Sequence, residues 1–312
     1  MTAPLPDFAR PGDVTRWVVA SRQAFARPAR AERVPPMVEE ELTRSGRVEP
    51  VGTVLLTNRE CAFRCVFCDL WRFTTAERLR PGEAAAQVAE ALETLPALSH
   101  VKLYNGGSFF DPGQVPREDL AVLARLLRGL TTVVVEAHPA FVGEAALRFR
   151  DALGGDLEVG IGLETAHAET LARLNKRMTV ESFVRAAAFL RREGIFVRTF
   201  LLLPPPFLPP DEGAEWALRS VEVALEAGSD CVVLIPARGG GPLDALARAG
   251  LFVPPTMALL EETLARALAL SRGRGRVFAD LWDLPRLARG GEGFEEAADR
   301  LLAMNREQRV LA

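Results

Sequence analysis

The sequence predicts an α/β fold, a partial (βα)6 TIM-like barrel with an N-terminal helical leader and a C-terminal closing segment. Three observations carry this reading. From Val51 onward, six short apolar runs recur along the chain. Amphipathic stretches of helical period lie between them, and no linker or internal repeat interrupts the order. Strands that alternate with helices pair in parallel through right-handed crossovers, and so curl toward a barrel rather than forming separate modules.

The first fifty residues, rich in proline and arginine, read as a leader with short helical pieces at Thr15–Ala26 and Met37–Thr43. The strands are expected at Gly52–Thr57, His100–Tyr104, Thr132–Ala137, Leu157–Leu163, Phe196–Leu203 and Cys231–Pro236. Helices are expected at Gly82–Glu93, Arg117–Arg128, Ala166–Leu174, Val180–Glu193 and Asp211–Ala227. A tail follows, with a helix at Thr256–Ser271 and a last strand at Val277–Trp282. The proline run from Pro204 to Pro210 reads as a stiff loop after the fifth strand. The expected divisions are a leader over 1–50, a core over 51–240 and a closing extension over 241–312, with the core boundary drawn as late as about 283.

Composition narrows the classes. The 312 residues are 48% hydrophobic and 25% charged, which excludes collagen, a disordered tail and a disulfide scaffold. The net charge of −3 gives no broad basic field for nonspecific nucleic-acid binding. No apolar run approaches a membrane span, and the acidic, proline-bearing start resembles no export signal, so the cytoplasm is the expected compartment. Of 38 basic residues only Lys102 and Lys176 are lysine; Tyr104 is the sole tyrosine and there are three histidines. In a chain so biased toward alanine and arginine, the rare types mark candidate special positions.

Three of the four cysteines, Cys61, Cys65 and Cys68, form C-A-F-R-C-V-F-C just after the first expected strand. Thiolates at this spacing can wrap a metal centre from one loop. A cubane held by three cysteines leaves one iron open. The alternative is a zinc site completed by His100, His138 or His167, none at the short spacing zinc loops favour. Cys231, inside an apolar run, reads as a core thiol.

The C-x3-C-x2-C loop, with Phe67 before its last cysteine, resembles the radical S-adenosylmethionine (radical SAM) superfamily over about Val51 to Asp283. The strand-end pattern looks closest to its elongator-subunit and methylthiotransferase-like branch, near the radical SAM subunit of archaeosine synthase. The resemblance implies a [4Fe-4S] cluster on the three cysteines. Its open iron binds S-adenosyl-L-methionine, which is cleaved to a 5′-deoxyadenosyl radical that abstracts hydrogen from substrate. It also implies a reduced flavodoxin- or ferredoxin-like electron donor. Asn105, Gly106, Gly107 and Ser108 are similar to the loop for the methionine amino group, although Ser108 stands where an acid is usual. Glu164 fits the ribose hydroxyls, Arg198 the methionine carboxylate, and Ile235 and Pro236 the adenine. Lys176, His138, His167 and Tyr104 are the candidates to face substrate, with Glu136 at a strand end and Asp280, Trp282 and Asp283 on the last strand. Asp69–Arg72 is expected to pack over the cluster loop.

With no further cysteine cluster, an auxiliary iron–sulfur centre and sulfur insertion are disfavoured. The fifty-residue leader is too short for a cobalamin domain, and no basic RNA-binding tail is visible. The leading expectation is a radical enzyme acting on a polar small molecule. A tRNA-modifying enzyme is the second, and a noncatalytic iron–sulfur or zinc protein the third. The sequence sets no oligomeric state.

Overall fold

Alternation along each strand sorts the chain into a helix-covered outer layer and an inner lumen. On the strand Asp156–Glu164, Leu157, Val159, Ile161 and Leu163 join the core under the helices, while Glu158, Gly160, Gly162 and Glu164 fall on the other face. The computed structural model describes residues 4–22, 34–287 and 293–311. In order these form α1 (Pro11–Arg22), β1 (Met37–Leu42), β2 (Val48–Leu56), α2 (Glu83–Thr94), β3 (His100–Asn105) and α3 (Arg117–Leu126). Next come β4 (Thr132–Glu136), α4 (Glu144–Leu153), β5 (Asp156–Glu164), α5 (Ala168–Arg173), α6 (Val180–Arg192) and β6 (Phe196–Leu203). The chain continues through α7 (Pro210–Glu226), β7 (Cys231–Pro236), α8 (Pro242–Arg248), α9 (Met257–Ser271), β8 (Arg276–Ala279) and α10 (Phe294–Glu307).

One eight-stranded sheet runs in order from β1 to β8. From β2 onward every neighbour pairs in parallel, giving the predicted open barrel. Two local devices fix helix starts. Thr179 and Ser182 close a capping box on α6. Asp119 of α3, fully buried, accepts from the N–H groups of Gly82 (2.5 Å) and Ala84 (2.9 Å) and so caps α2 from a neighbouring helix.

The leader departs from expectation. The stretch Met37–Thr43 is not helical: Met37–Leu42 is a strand, antiparallel to β2, with Glu41 opposite Glu49 and Leu42 opposite Val48. The turn through Gly46, in the left-handed region at φ 78°, returns the chain into β2, and sheet pairing outweighs the helical preference of three consecutive glutamates. The first helix begins at Pro11 rather than Thr15; Gln23–Ala26, its expected end, lie outside the described residues. Helix α4, between β4 and β5, escaped the sequence reading. The last strand stops at Ala279, so Asp280, Trp282 and Asp283 follow it, and Trp282 is exposed.

The lower lumen, toward the N-terminal ends of the strands, is closed by buried charge. Lys102 bridges Glu41 (2.6 Å) and Glu39 (3.2 Å). Arg198 donates to Glu41 (2.5 Å) and to Glu158 (2.5 Å), and Arg276 completes the set on Glu158 (3.1 Å). Burial alone would raise the Glu41 carboxyl, but Arg198 and Lys102 overcome it and hold it well below the usual carboxylate range. Arg198 is held well above its usual value in return.

Removing one partner strands the others as uncompensated buried charge, which costs about 3–5 kcal/mol. Arg198→Met is therefore expected to lower unfolding stability by about that amount, measured by urea denaturation.

Candidate active site

The opposite end of the lumen, at the C-terminal ends of the parallel strands, gathers the chemistry, as parallel barrels generally do. Cys61, Cys65 and Cys68 lie on the loop after β2, all free of disulfide bonding. Three other parts of the chain hold that loop. From the segment after α5, Asn175 donates through Nδ2 to the Arg64 carbonyl (2.7 Å) and to Thr15 Oγ1 of α1 (3.1 Å). The Leu174 carbonyl accepts from Val66 N–H (3.0 Å). Asn175 tolerates its left-handed φ of 57° better than most residues would. From α1, Arg22 donates to the carbonyls of Cys65 (3.3 Å) and Cys68 (3.2 Å). Trp71, on the one-turn helix Leu70–Phe73, packs buried beside the loop, as expected of Asp69–Arg72.

The glycine loop after β3 abuts the cluster loop through a polar network. Asn58 donates to Gln114 and to the Arg59 carbonyl (2.8 Å), and Gln114 donates to the Glu60 carbonyl (3.2 Å). Asn105 donates to Asn58 (3.3 Å) and leaves its own Oδ1 buried without a partner. The two glycines are needed for close approach within the protein. A Cβ on Gly106 would meet Thr74 at 2.8 Å, and one on Gly107 would overlap the Gln114 amide. Gln114 was not foreseen; only the glycine beside it signals a side chain lying against that loop.

At the end of β5 the register slips between Gly162 and Glu164, and Glu164 takes a left-handed φ of 66°. A non-glycine residue in that region is strained, which singles out the position. The turn brings Glu164 onto Lys176, and the pair is buried. A Cβ on Gly162 would occupy the place of both groups, so the glycine makes room for the pair. Lys176 Nζ lies 5.9 Å from the Phe67 ring centre. Burial would lower the Lys176 ammonium, but Glu164 beside it keeps it raised.

The other predicted residues divide. His138 stacks on Phe63 (ring centres 3.9 Å apart), accepts Ala140 N–H at Nδ1 (3.1 Å), and therefore donates from Nε2 to the Lys176 carbonyl (2.9 Å). Burial drops its pKa to about 4, so it stays neutral and braces Lys176. Ser108 accepts from the His138 N–H (3.0 Å). His167 caps α5 by accepting from Thr170 N–H (3.1 Å) and packs edge-on to Trp216. Tyr104 stands edge-to-face with Phe200 in the lumen, its hydroxyl raised by burial. Ile235 and Pro236 end β7. Asp280 is bound to Arg238 (2.8 Å).

Arg198 requires a correction. It is the third residue of β6, five residues below the strand's end, or about 16 Å at strand rise. Its guanidinium is taken by Glu41 and Glu158, so it belongs to the barrel floor and is not free for a cofactor carboxylate. Cys231 is a buried core thiol, as expected.

The donor set fits an iron–sulfur cluster and its cosubstrate. Burial pushes the Cys61 and Cys65 thiols up and the Cys68 thiol up to about 11, so iron is what would draw them to thiolates. A cubane takes its three thiolates one to an iron, and the three free cysteines of this loop supply that number. The orphaned Asn105 Oδ1 and the Glu164–Lys176 pair offer an acceptor, an anion and a cation at the rim of the same lumen.

A parallel half-barrel with a three-cysteine loop at its C-terminal rim defines a class of barrel enzymes built around an open-iron cluster. The sequence profile of the Radical SAM superfamily matches residues 55–212, just over half of the chain, and the protein belongs to that superfamily. Among curated relatives, an uncharacterized protein of Methanocaldococcus jannaschii is 24% identical over 64% of this chain and 59% of its own length. Archaeosine synthase subunit beta of Methanosarcina acetivorans is 28% identical over 70% of this chain and 66% of its own. The chain thus spans about three fifths to two thirds of these relatives. The counterpart from Thermococcus kodakarensis is 33% identical over 43% of this chain and 44% of its own. Among solved structures, methylornithine synthase superposes at a TM-score of 0.56 and 17% identity, covering 92% of this chain and 76% of that one. That likeness shows the shared half-barrel fold.

Glu136, at the end of β4, faces the upper lumen with Tyr104, and burial pushes its carboxyl up to about 7 against a weaker opposing bond from the Asn105 N–H. Its folded pKa lies above the unfolded 4.5, so the stability it contributes is complete below about pH 4.5 and is lost as pH rises through 7. Glu136→Gln, neutral throughout, is expected to become the more stable form over that window, by on the order of 3 kcal/mol at pH 8 in urea titrations.

Proposed function

We propose that the protein is a cytoplasmic radical SAM enzyme that holds a [4Fe-4S] cluster on Cys61, Cys65 and Cys68 and abstracts hydrogen from a polar small-molecule substrate. The observation that carries this is the meeting, at one rim, of three unpaired thiols, the Asn105 loop and the Glu164–Lys176 pair. With S-adenosyl-L-methionine on its open iron, a reduced cluster supplies a 5′-deoxyadenosyl radical. The protein's own part is positioning. Asn105 Oδ1 accepts from the methionine amino group. Lys176, in the role first expected of Arg198, takes the carboxylate, and Glu164 turns to the ribose hydroxyls. Ile235 and Pro236 flank the adenine, and Phe67 shields the cluster from water. His138 holds the Lys176 main chain in place, while Tyr104 and Glu136 face the substrate. The electron comes from a reduced flavodoxin- or ferredoxin-like donor. No described helix is long and apolar enough to cross a membrane.

The two relatives named archaeosine synthase subunit beta favour a second reading, in which the substrate is a nucleoside in RNA and a partner subunit joins the enzyme.

Anaerobically reconstituted protein given dithionite and S-adenosyl-L-methionine is expected to release 5′-deoxyadenosine. Cys65→Ala should lose both the brown absorbance and the product. Cluster-loaded protein that never cleaves S-adenosyl-L-methionine would overturn the reading. The RNA reading expects tRNA to shift in a binding assay at moderate salt; a protein that leaves tRNA unshifted while turning over a small molecule excludes it.

A further inference from the structure

Arg22, the last residue of α1, is 4% exposed and reaches the cluster loop from outside the barrel. Nη1 donates to Glu60 (2.5 Å), and Nη2 to the carbonyls of Cys65 (3.3 Å) and Cys68 (3.2 Å). The guanidinium carbon lies 5.4 Å from the Trp71 ring centre. Its Nε–H has no hydrogen-bond partner among the described residues and is buried. In the planar fork, Nε–H shares an edge with Nη2, so the orphaned donor looks toward the side where the two ligand-cysteine carbonyls lie. A buried unpaired N–H costs about 1–3 kcal/mol, and a brace that only tied α1 to the loop would not need it. Glu60 is shared with Arg64 (3.3 Å), so it does not by itself neutralise Arg22.

We infer that Arg22 is a positioning and tuning residue for the cluster: its charge and its free Nε–H stabilise the reduced cluster and raise its reduction potential. This rests on the cluster reading above. The physical basis is general. A cation held against the main chain of the ligand cysteines, with a donor to spare on that side, favours the form that carries the additional electron. The residue lies ahead of the superfamily match at 55–212, so the leader sets a property of the centre without supplying a ligand.

The test is an anaerobic redox titration of the reconstituted cluster, followed by electron paramagnetic resonance, in wild type, Arg22→Gln and Arg22→Lys. Potential is a property of each cluster, so partial loading does not obscure it. In Arg22→Gln, reduction is expected to be about tenfold less favourable, a midpoint about 59 mV more negative. Arg22→Lys, which keeps the charge but not the fork, should fall between. A Gln variant with the wild-type potential overturns the inference. So does loss of the cluster to the same extent in both variants, which would make Arg22 only structural. A wild-type chain that takes up no cluster would instead sink the functional reading beneath it.

Discussion

Charge compensation inside the barrel is the constraint on which the rest depends. A parallel sheet curled on itself has two faces, and its inner face normally fills with apolar side chains. Here the lower lumen holds Glu41, Lys102, Glu158, Arg198 and Arg276, each tied to another of the group. Such a group is tolerable out of water only when every charge is answered. Answered in this way, it forms a floor. Above it stand Tyr104, Glu136 and the Glu164–Lys176 pair, toward the C-terminal ends of the strands.

The rim is assembled from segments far apart in sequence that meet through contacts to the main chain and through side-chain pairs such as Asn105–Asn58 and Asn175–Thr15. The cluster loop has few partners of its own. It is held by Asn175, by Leu174 and by Arg22, while the Asn105 loop packs beside it through Asn58 and Gln114. Many of these contacts go to carbonyl and N–H groups of the loop rather than to its thiols. His138 bonds the Lys176 carbonyl and so fixes its main chain.

Much of this was legible in the sequence because period-two alternation writes a strand's two faces directly. Phe196–Leu203 and Cys231–Pro236 were placed to the residue, and the cysteine spacing gave the rim loop. What failed has a common cause: long-range pairing. Met37–Leu42 carries helix-favouring glutamates, and only its partner β2 makes it a strand. Arg198 was assigned to an anion correctly in kind, yet the anions are Glu41 and Glu158, 157 and 40 residues away. His138 and His167 have local partners that the sequence reading did not foresee. Both ring nitrogens at Nδ1 serve local backbone N–H groups, which residue rarity could not reveal.

The floor also bears on how the chain comes to be folded. Glu41 gains Arg198 only 157 residues later, and Glu158 gains its second cation only from Arg276, 118 residues later. During synthesis, then, Glu41 emerges ahead of both Lys102 and Arg198, and Glu158 ahead of Arg198 and Arg276. The interior charges are thus answered in stages, and the group is complete only when the last strand brings Arg276. Non-local pairings of this kind slow folding and prolong the exposure of unpaired edges. Through Arg276 the final strand thereby couples completion of the floor to completion of the sheet.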